Sequence, residues 1–376
     1  LKSQHFFTNI RGFLTCQNLS QKIHQCTSEF VLAFEFKTSF RILLFYLTRK
    51  IQIMKAMLCK ELGLPSKMVL SEIPMPVPKK KEVLIRVKAC SVNFPDTLII
   101  QGLYQFKPQL PFSPGSDVAG IVEAIGEEVK HVKVGDKVFG LVAFGGFAEA
   151  VVVPSNSVFP MPPMMDYKVA ASFMMAYGTS YHALKDRAKL KSGETLLVLG
   201  ASGGVGLAAV GLGKLMGATV IAAASTDEKL ALCQQYGADF TINYTTENLK
   251  NRIKEITNGD GADVVYDPVG GDYTEAALRA TAWEGRFLVV GFPAGIASIP
   301  MNLPLLKGCQ IVGVFWGSFA MRDPKANMAN TMELIQFYAK GQIKPHIDKV
   351  YTLENSQQAL VDMMDRKVMG KIVIEP

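Results

Sequence analysis

LVLGASGGVGLAAVGLGKLMGATVIAAAS, residues 197–225, reads as an apolar strand, a glycine turn, a helix and a second apolar strand. The turn fits G-x-G-x-x-G with one departure, Ala201 in place of the first glycine. Gly203 would let the backbone approach a pyrophosphate, and Gly206 would let helix and sheet pack closely. A helix N-terminus has free N–H donors and the positive end of the helix dipole, which together favour phosphate. A glycine turn alone is common, and a plain tight turn is the competing reading. Here a strand precedes it and a helix follows, which is the context that dinucleotide binding requires. The residues expected to line the nucleotide are Ala201, Ser202, Gly203, Gly204, Val205 and Gly206.

The end of the second strand bears on which dinucleotide. A carboxylate there usually holds the ribose 2′-hydroxyl of NAD. This chain has Ala224–Ser225 instead, so nothing at the strand end repels a 2′-phosphate. Lys229, one helical turn on, is placed to pair with that phosphate, and Tyr244 after the third strand to add a hydroxyl. The expected cofactor is therefore NADPH. Three alternatives stand beside this: Ser225 and Glu228 form a capping-box pattern, Asp227 is near enough to take the ribose role, and Lys229 is a solvated surface charge.

Outward from this unit the grammar is consistent. ETLLVLG, ATVIAAAS, ADFTINY, ADVVYDPVG, GRFLVVGF and QIVGVFWG are short apolar runs, and helix-like stretches such as TDEKLALCQQYG, TENLKNRIKEITNG and YTEAALRATAW separate the first five. Alternating strands and helices mean βαβ crossovers and a doubly wound parallel sheet. Upstream, EVLIRVKACSVN, DVAGIVEAIG, GDKVFGLV and GFAEAVVVP are broken by Pro and Gly and read as a barrel-like β unit. KEVLIRVKAC alternates cleanly from Val83 to Ala89. The tail has two amphipathic helices, NMANTMELIQFYAKG and SQQALVDMMDRK, and two strands, DKVYTL and KIVIEP. The fold class is α/β. The expected division is an extension over 1–53, a first β domain over 54–175, the α/β domain over 176–314, and a return to the first domain over 315–376.

Of 376 residues, 49% are hydrophobic and 19% charged, enough for two domains with sizeable cores. Net charge is +7, but residues 1–53 hold seven Lys/Arg against two acids, so +5 of it lies there. The nearly neutral body argues against nucleic acid as a partner. The longest apolar run of residues 1–53, ILLFYL, is too short to span a bilayer. The texture changes at Met54, which reads as a natural start with upstream sequence before it; a mitochondrial targeting segment is the alternative. The six cysteines form no C-x-x-C pair and lie near no histidine at metal-ligand spacing, which speaks for reduced thiols and a cytoplasmic location, with a mitochondrial one as the alternative.

Several segments in fixed order carry a resemblance: VNFPDTLIIQGLY, PFSPGSDVAGIVEAIG, GDKVFG, YGTSYHAL, GASGGVG, DPVGGD, WEGRFLVVGFPAG, VGVFWG and MGKIVI. Over 54–376 the chain resembles the zinc-independent, zeta-crystallin-like quinone oxidoreductases of the medium-chain dehydrogenase/reductase superfamily. The resemblance implies a discontinuous GroES-like β domain, a Rossmann domain, an active site in the cleft between them, NADPH, and a homodimer or a tetramer built from dimers. Zinc-dependent relatives carry G-H-E where this chain has Gly115-Ser116-Asp117, so the resemblance implies no metal. Without a Lewis acid, reduction of a conjugated quinone or enone is the accessible chemistry, since the charge spreads and hydrogen-bond donors can stabilise it. The resemblance implies Asn93, Asp96 and Tyr104 as catalytic residues; the plainer readings are a buried loop Asn, a helix cap and a packing aromatic. It further implies nicotinamide-side contacts at Thr179, Gly270, Gly291, Phe292, Phe315 and Trp316, with core packing the alternative for the last two. Some quinone reductases carry a Tyr where this chain has Leu98, so a more apolar pocket is expected. The alternatives in function are a 2-enoyl-thioester reductase and a non-catalytic, nucleotide-binding crystallin-like or RNA-binding role.

Overall fold

The two halves of the glycine-turn unit lie at the centre of a six-stranded parallel sheet. The computed structural model describes residues 52–376, so the expectations for the extension, apart from its last two residues, lie outside the described residues. The first strands are β1 (Ile53–Cys59), β2 (Met68–Pro74), β3 (Glu82–Val92), β4 (Asp117–Ile125), β5 (Lys137–Leu141), β6 (Ala150–Pro154) and β7 (Val158–Pro160). Then come β8 (Thr195–Leu199), β9 (Thr219–Ala224), β10 (Phe240–Asn243), β11 (Ala262–Asp267), β12 (Thr281–Val289) and β13 (Gln310–Gly313). The chain closes with β14 (Ile347–Thr352) and β15 (Lys371–Glu375).

The parallel sheet has the order β10-β9-β8-β11-β12-β13. Counted from β8 this is 3-2-1-4-5-6, the doubly wound order whose crevice opens beside the first strand. The strands read as continuous apolar runs because both faces are covered. Leu196 and Val198 pack into one core with Ala208 and Leu212 of the helix Gly204–Leu215. Their neighbours Leu197 and Leu199 face the other way, with Ile253, Ala277 and Leu278 of helices on the opposite face. One expectation is corrected here: the helix predicted over 273–283 ends at Arg279, and β12 starts at Thr281. The strand pairs with β11 at Thr281 and again at Arg286, and the residues between bulge out around Glu284, whose φ is +56°.

The second sheet, β14-β15-β3-β4-β5-β7 with β6 also on β3, takes in the last two strands of the chain, while β1 and β2 form a separate two-stranded sheet. β3 is its central strand, and Val83, Ile85 and Val87 face the main β core as their alternation predicts. Leu84, on the other face, is buried as well, because Met54, Ala56 and Leu58 of β1 and Ala148 and Ala150 cover it. The last strands return to this sheet: β15 runs antiparallel to β3, pairing Ile372 with Val92. The helix Pro324–Ala339 packs against the helical stretch 174–187, where Tyr181 and Lys185 both donate to Glu333, each at 2.6 Å.

Candidate active site

The glycine turn is built as its sequence implies, and the structure explains its departure. The left-handed residue is Gly200 (φ +53°), one place before Ala201. Ala201 is therefore free to carry a Cβ, and it is fully buried. A Cβ at Gly206 would meet the Gly200 carbonyl oxygen at 2.3 Å and Ala201 Cα at 2.9 Å, so the helix start rides directly on the turn. At Gly203 the nearest atom would be 3.4 Å away, which leaves the backbone open to a bulky anion. Gly370, just before β15, lies alongside: its N–H donates to the Ser202 carbonyl at 2.6 Å, and it bridges to Gly203. The strand that closes the β domain thus touches the nucleotide turn.

At the end of β9 Lys229 meets the backbone of Arg366, whose guanidinium donates to the Pro293 carbonyl at 3.2 Å. Lys229 Nζ donates to Ser225 Oγ (3.2 Å) and to the Arg366 carbonyl (3.0 Å). Its ammonium is held below the ordinary lysine value, by burial first and then by the Arg366 charge. Burial raises the nearby Tyr244 hydroxyl, while Arg366 and Ser225 pull it back down. Of the three alternatives at this corner, the capping one is corrected. Thr226, not Ser225, caps the following helix by accepting from the Lys229 N–H at 3.3 Å. Asp227 is occupied by the Asn243 amide at 2.8 Å. A lysine beside the Ser225 and Tyr244 hydroxyls, with a second cation nearby and no carboxylate at the strand end, fits a 2′-phosphate.

The residues expected to do chemistry come together at the end of β3. Asp96 reaches back to accept from the Asn93 N–H at 2.7 Å, and its other oxygen accepts from the Gly115 N–H at 2.9 Å. Both oxygens are therefore spent on backbone, so the helix-cap reading is the one the geometry shows, and Asp96 positions Asn93 and the 115 loop. The Asn93 side chain donates from Nδ2 to Ser91 Oγ at 3.3 Å, and its oxygen accepts from Lys371. Asp117 is buried beside it and accepts from the Met175 N–H (3.1 Å) and from Ser91 Oγ (3.4 Å). Met175 lies in the first turn of the stretch 174–187, where backbone donors lack intrahelical acceptors. Burial pushes both carboxyls up to about 6, against the pull of Lys371 and their own hydrogen bonds. Tyr104 is half-buried; burial and then the Asp96 charge raise its hydroxyl, which keeps it protonated at neutral pH.

The other expected contacts separate into two groups. Gly270 and Gly291 follow the C-terminal ends of β11 and β12, and the Gly270 N–H donates to Asp267 at 2.9 Å. Phe292 and Phe315 are exposed near the ends of β12 and β13, and Thr179 lies in the stretch 174–187. Trp316 is buried: its indole N–H donates to Asn327 at 2.9 Å, and a Cβ on Gly178 would meet the ring at 2.7 Å. Its contacts are those of core packing. Lys371, Asp117 and Arg366 were not singled out as site residues from the sequence. A lysine opening the buried strand KIVI was the available signal for the first; nothing local marks Arg366. Among the described residues no group of three or more His, Cys, Asp or Glu is arranged to hold a metal ion.

Comparison with known proteins places this arrangement. Residues 79–163 match the alcohol dehydrogenase GroES-like domain family, and residues 204–336 match the zinc-binding dehydrogenase family. The chain is 39% identical to bovine (Bos taurus) quinone oxidoreductase-like protein 2, over 85% of this chain and 92% of that protein. It is 38% identical to the Nematostella vectensis quinone oxidoreductase-like protein 2 homolog, over 85% and 88%. The crystal structure of Escherichia coli quinone oxidoreductase complexed with NADPH superposes with a TM-score of 0.81 at 29% identity, covering 86% of this chain and all of that one. A GroES-like β domain joined to a Rossmann sheet is the architecture of the medium-chain dehydrogenases and reductases. Within them, the chain belongs to the quinone oxidoreductase family.

Proposed function

We propose that the chain is an NADPH-dependent, zinc-independent reductase of quinones or α,β-unsaturated carbonyls. The observation that carries the cofactor assignment is Lys229 on the Ser225 hydroxyl at an acid-free strand end, with the Arg366 charge close enough to depress the lysine. Gly203 leaves room for the pyrophosphate, and Lys229, Arg366, Ser225 and Tyr244 would hold the 2′-phosphate. Bound there, the nicotinamide supplies the hydride. The chain's own residues do the rest. Asn93 offers an N–H to an acceptor oxygen as negative charge builds on it. Tyr104, kept protonated by burial and Asp96, is the candidate proton donor. Asp117, in the stretch that stands in place of the zinc relatives' G-H-E, accepts from a backbone N–H and a hydroxyl in this reading.

The exposed edge strand β13, with Ile311 on it and Trp283 and Leu305 exposed in the neighbouring β12 and helix Asn302–Lys307, supports a homodimer as the working assembly. The functional test is a paired titration and turnover assay of NADPH against NADH, with an ortho-quinone and a free enone as acceptors. Tight NADPH binding with turnover is expected. Binding without turnover on either acceptor overturns the reaction class and leaves the cofactor assignment standing; an NADH preference overturns the cofactor assignment.

A further inference from the structure

Lys371 opens a strand that is otherwise apolar through Ile374, and it is buried, with 4% of its surface exposed. Burying an ammonium is costly unless its hydrogen bonds are met. Its stem lies over the nucleotide turn: a Cβ at Gly204 would meet Lys371 Cδ at 2.7 Å. Its head hydrogen-bonds to Asn93 Oδ1 and, at 3.4 Å, to the Val92 carbonyl. An ammonium has only donors, so the atom it faces must be the carboxamide oxygen. That contact removes the usual ambiguity of an amide that can flip. With the oxygen held and its Nδ2 on Ser91 Oγ, the carboxamide is fixed in one orientation, its amide end beside the Asp117 carboxyl. The titratable groups around the ammonium are Asp117 on β4, Asp96 on the helix after β3, Cys90 on β3, and Tyr177 and His346, which share a small cavity with it.

We propose that Lys371 is a positioning residue for reduction: it clamps the Asn93 carboxamide by its oxygen and so fixes the orientation in which the amide donates. This rests on the reductase reading above. Lys371 acts through Asn93, and the cofactor-proximal end of β15 supplies it, so the nucleotide turn and the donor amide share one strand.

The test uses the full chain and the Lys371→Met variant, which keeps the apolar stem and removes the donor. A fall in kcat on the order of ten- to a hundredfold is expected, with the Kd for NADPH changed less than about threefold. The acid limb of the kcat pH profile should move upward, because Asp96 and Asp117 lose a cation that favours their charged forms. In an Asn93→Ala background the same substitution should cost little, since the clamped group is gone. An equal loss in both backgrounds, or a weaker Kd with unchanged kcat, overturns the proposal. The Asn93 side-chain amide resonances, assigned by their loss in Asn93→Asp, provide a readout that needs no turnover. They should shift or split in Lys371→Met, and unchanged resonances overturn the clamp. A wild type inactive on every quinone and enone, with resonances that do shift, refutes the reductase reading and leaves the clamp standing. If Lys371→Met does not fold, Lys371→Leu, which also lacks a donor, is read in the same way.

Discussion

Asp117 offers a quantitative check on the buried charge cluster. Its carboxyl is 1% exposed and titrates near 6, where an unfolded aspartate titrates near 3.9. A carboxyl whose folded value is raised favours the folded state while it carries its proton. Its stabilising effect is complete below about pH 4 and disappears as pH rises through about 6. Working the linkage between pH 5 and pH 7.5 gives a loss of about 1.4 kcal/mol for one such group. Replacing Asp117 by Asn removes the titration while keeping an oxygen for the Met175 N–H. The perturbation is therefore a pH series of thermal unfolding on the cofactor-free wild type and Asp117→Asn. The variant should gain on the wild type by about 1.4 kcal/mol from pH 5 to 7.5, a Tm difference of about 2 °C. Groups common to both proteins cancel in the comparison. Asp96 also loses a repelling neighbour in the variant, so its own carboxyl loses less stability over this range, which adds slightly to the gain. A Tm gap that stays constant with pH, or closes as pH rises, would refute the placement of a charged Asp117 in this core.

Three further outcomes can be checked. Lys229→Ala and Arg366→Ala should each weaken NADPH binding by roughly ten- to a hundredfold while leaving NADH nearly unchanged, read by nucleotide fluorescence titration. Tyr104→Phe should leave NADPH affinity intact and lower enone turnover by about a hundredfold if the hydroxyl donates the proton; loss of both together would mark Tyr104 as structural. Gly206→Val places its Cβ 2.3 Å from a backbone oxygen, so it should cost more than about 2 kcal/mol in chemical denaturation and abolish nucleotide binding.

Local rules carried the sequence a long way. Six apolar runs spaced by helical stretches became the six parallel strands, because a sheet buried on both faces needs apolar residues at every position. The glycine turn was legible for the same reason: its constraints act within seven consecutive residues, and the turn even tolerates Ala201 because Gly200 takes the left-handed conformation. The absence of an acid after β9 was equally visible as a single position. Asn93 and Asp96 could be located because they share one short motif, and Tyr104 because it follows closely.

What the sequence by itself determined, then, was the α/β class, the strand set, the glycine turn and the acid-free end of β9. The tertiary structure alone decided which distant residues complete those features. Arg366 reaches Lys229 from 137 residues away, and Lys371 reaches Asn93 from 278. Neither pairing has a spacing rule, because each depends on β15 returning through the whole chain to lie beside β3 and against the glycine turn. The same return decides protonation. An aspartate in a GSD motif has an ordinary pKa on paper; only burial beside Asp96 and Lys371 moves Asp117 to about 6. Periodicity and turn chemistry are short-range and can be read along the chain, whereas desolvation and charge convergence are set by what the fold brings alongside.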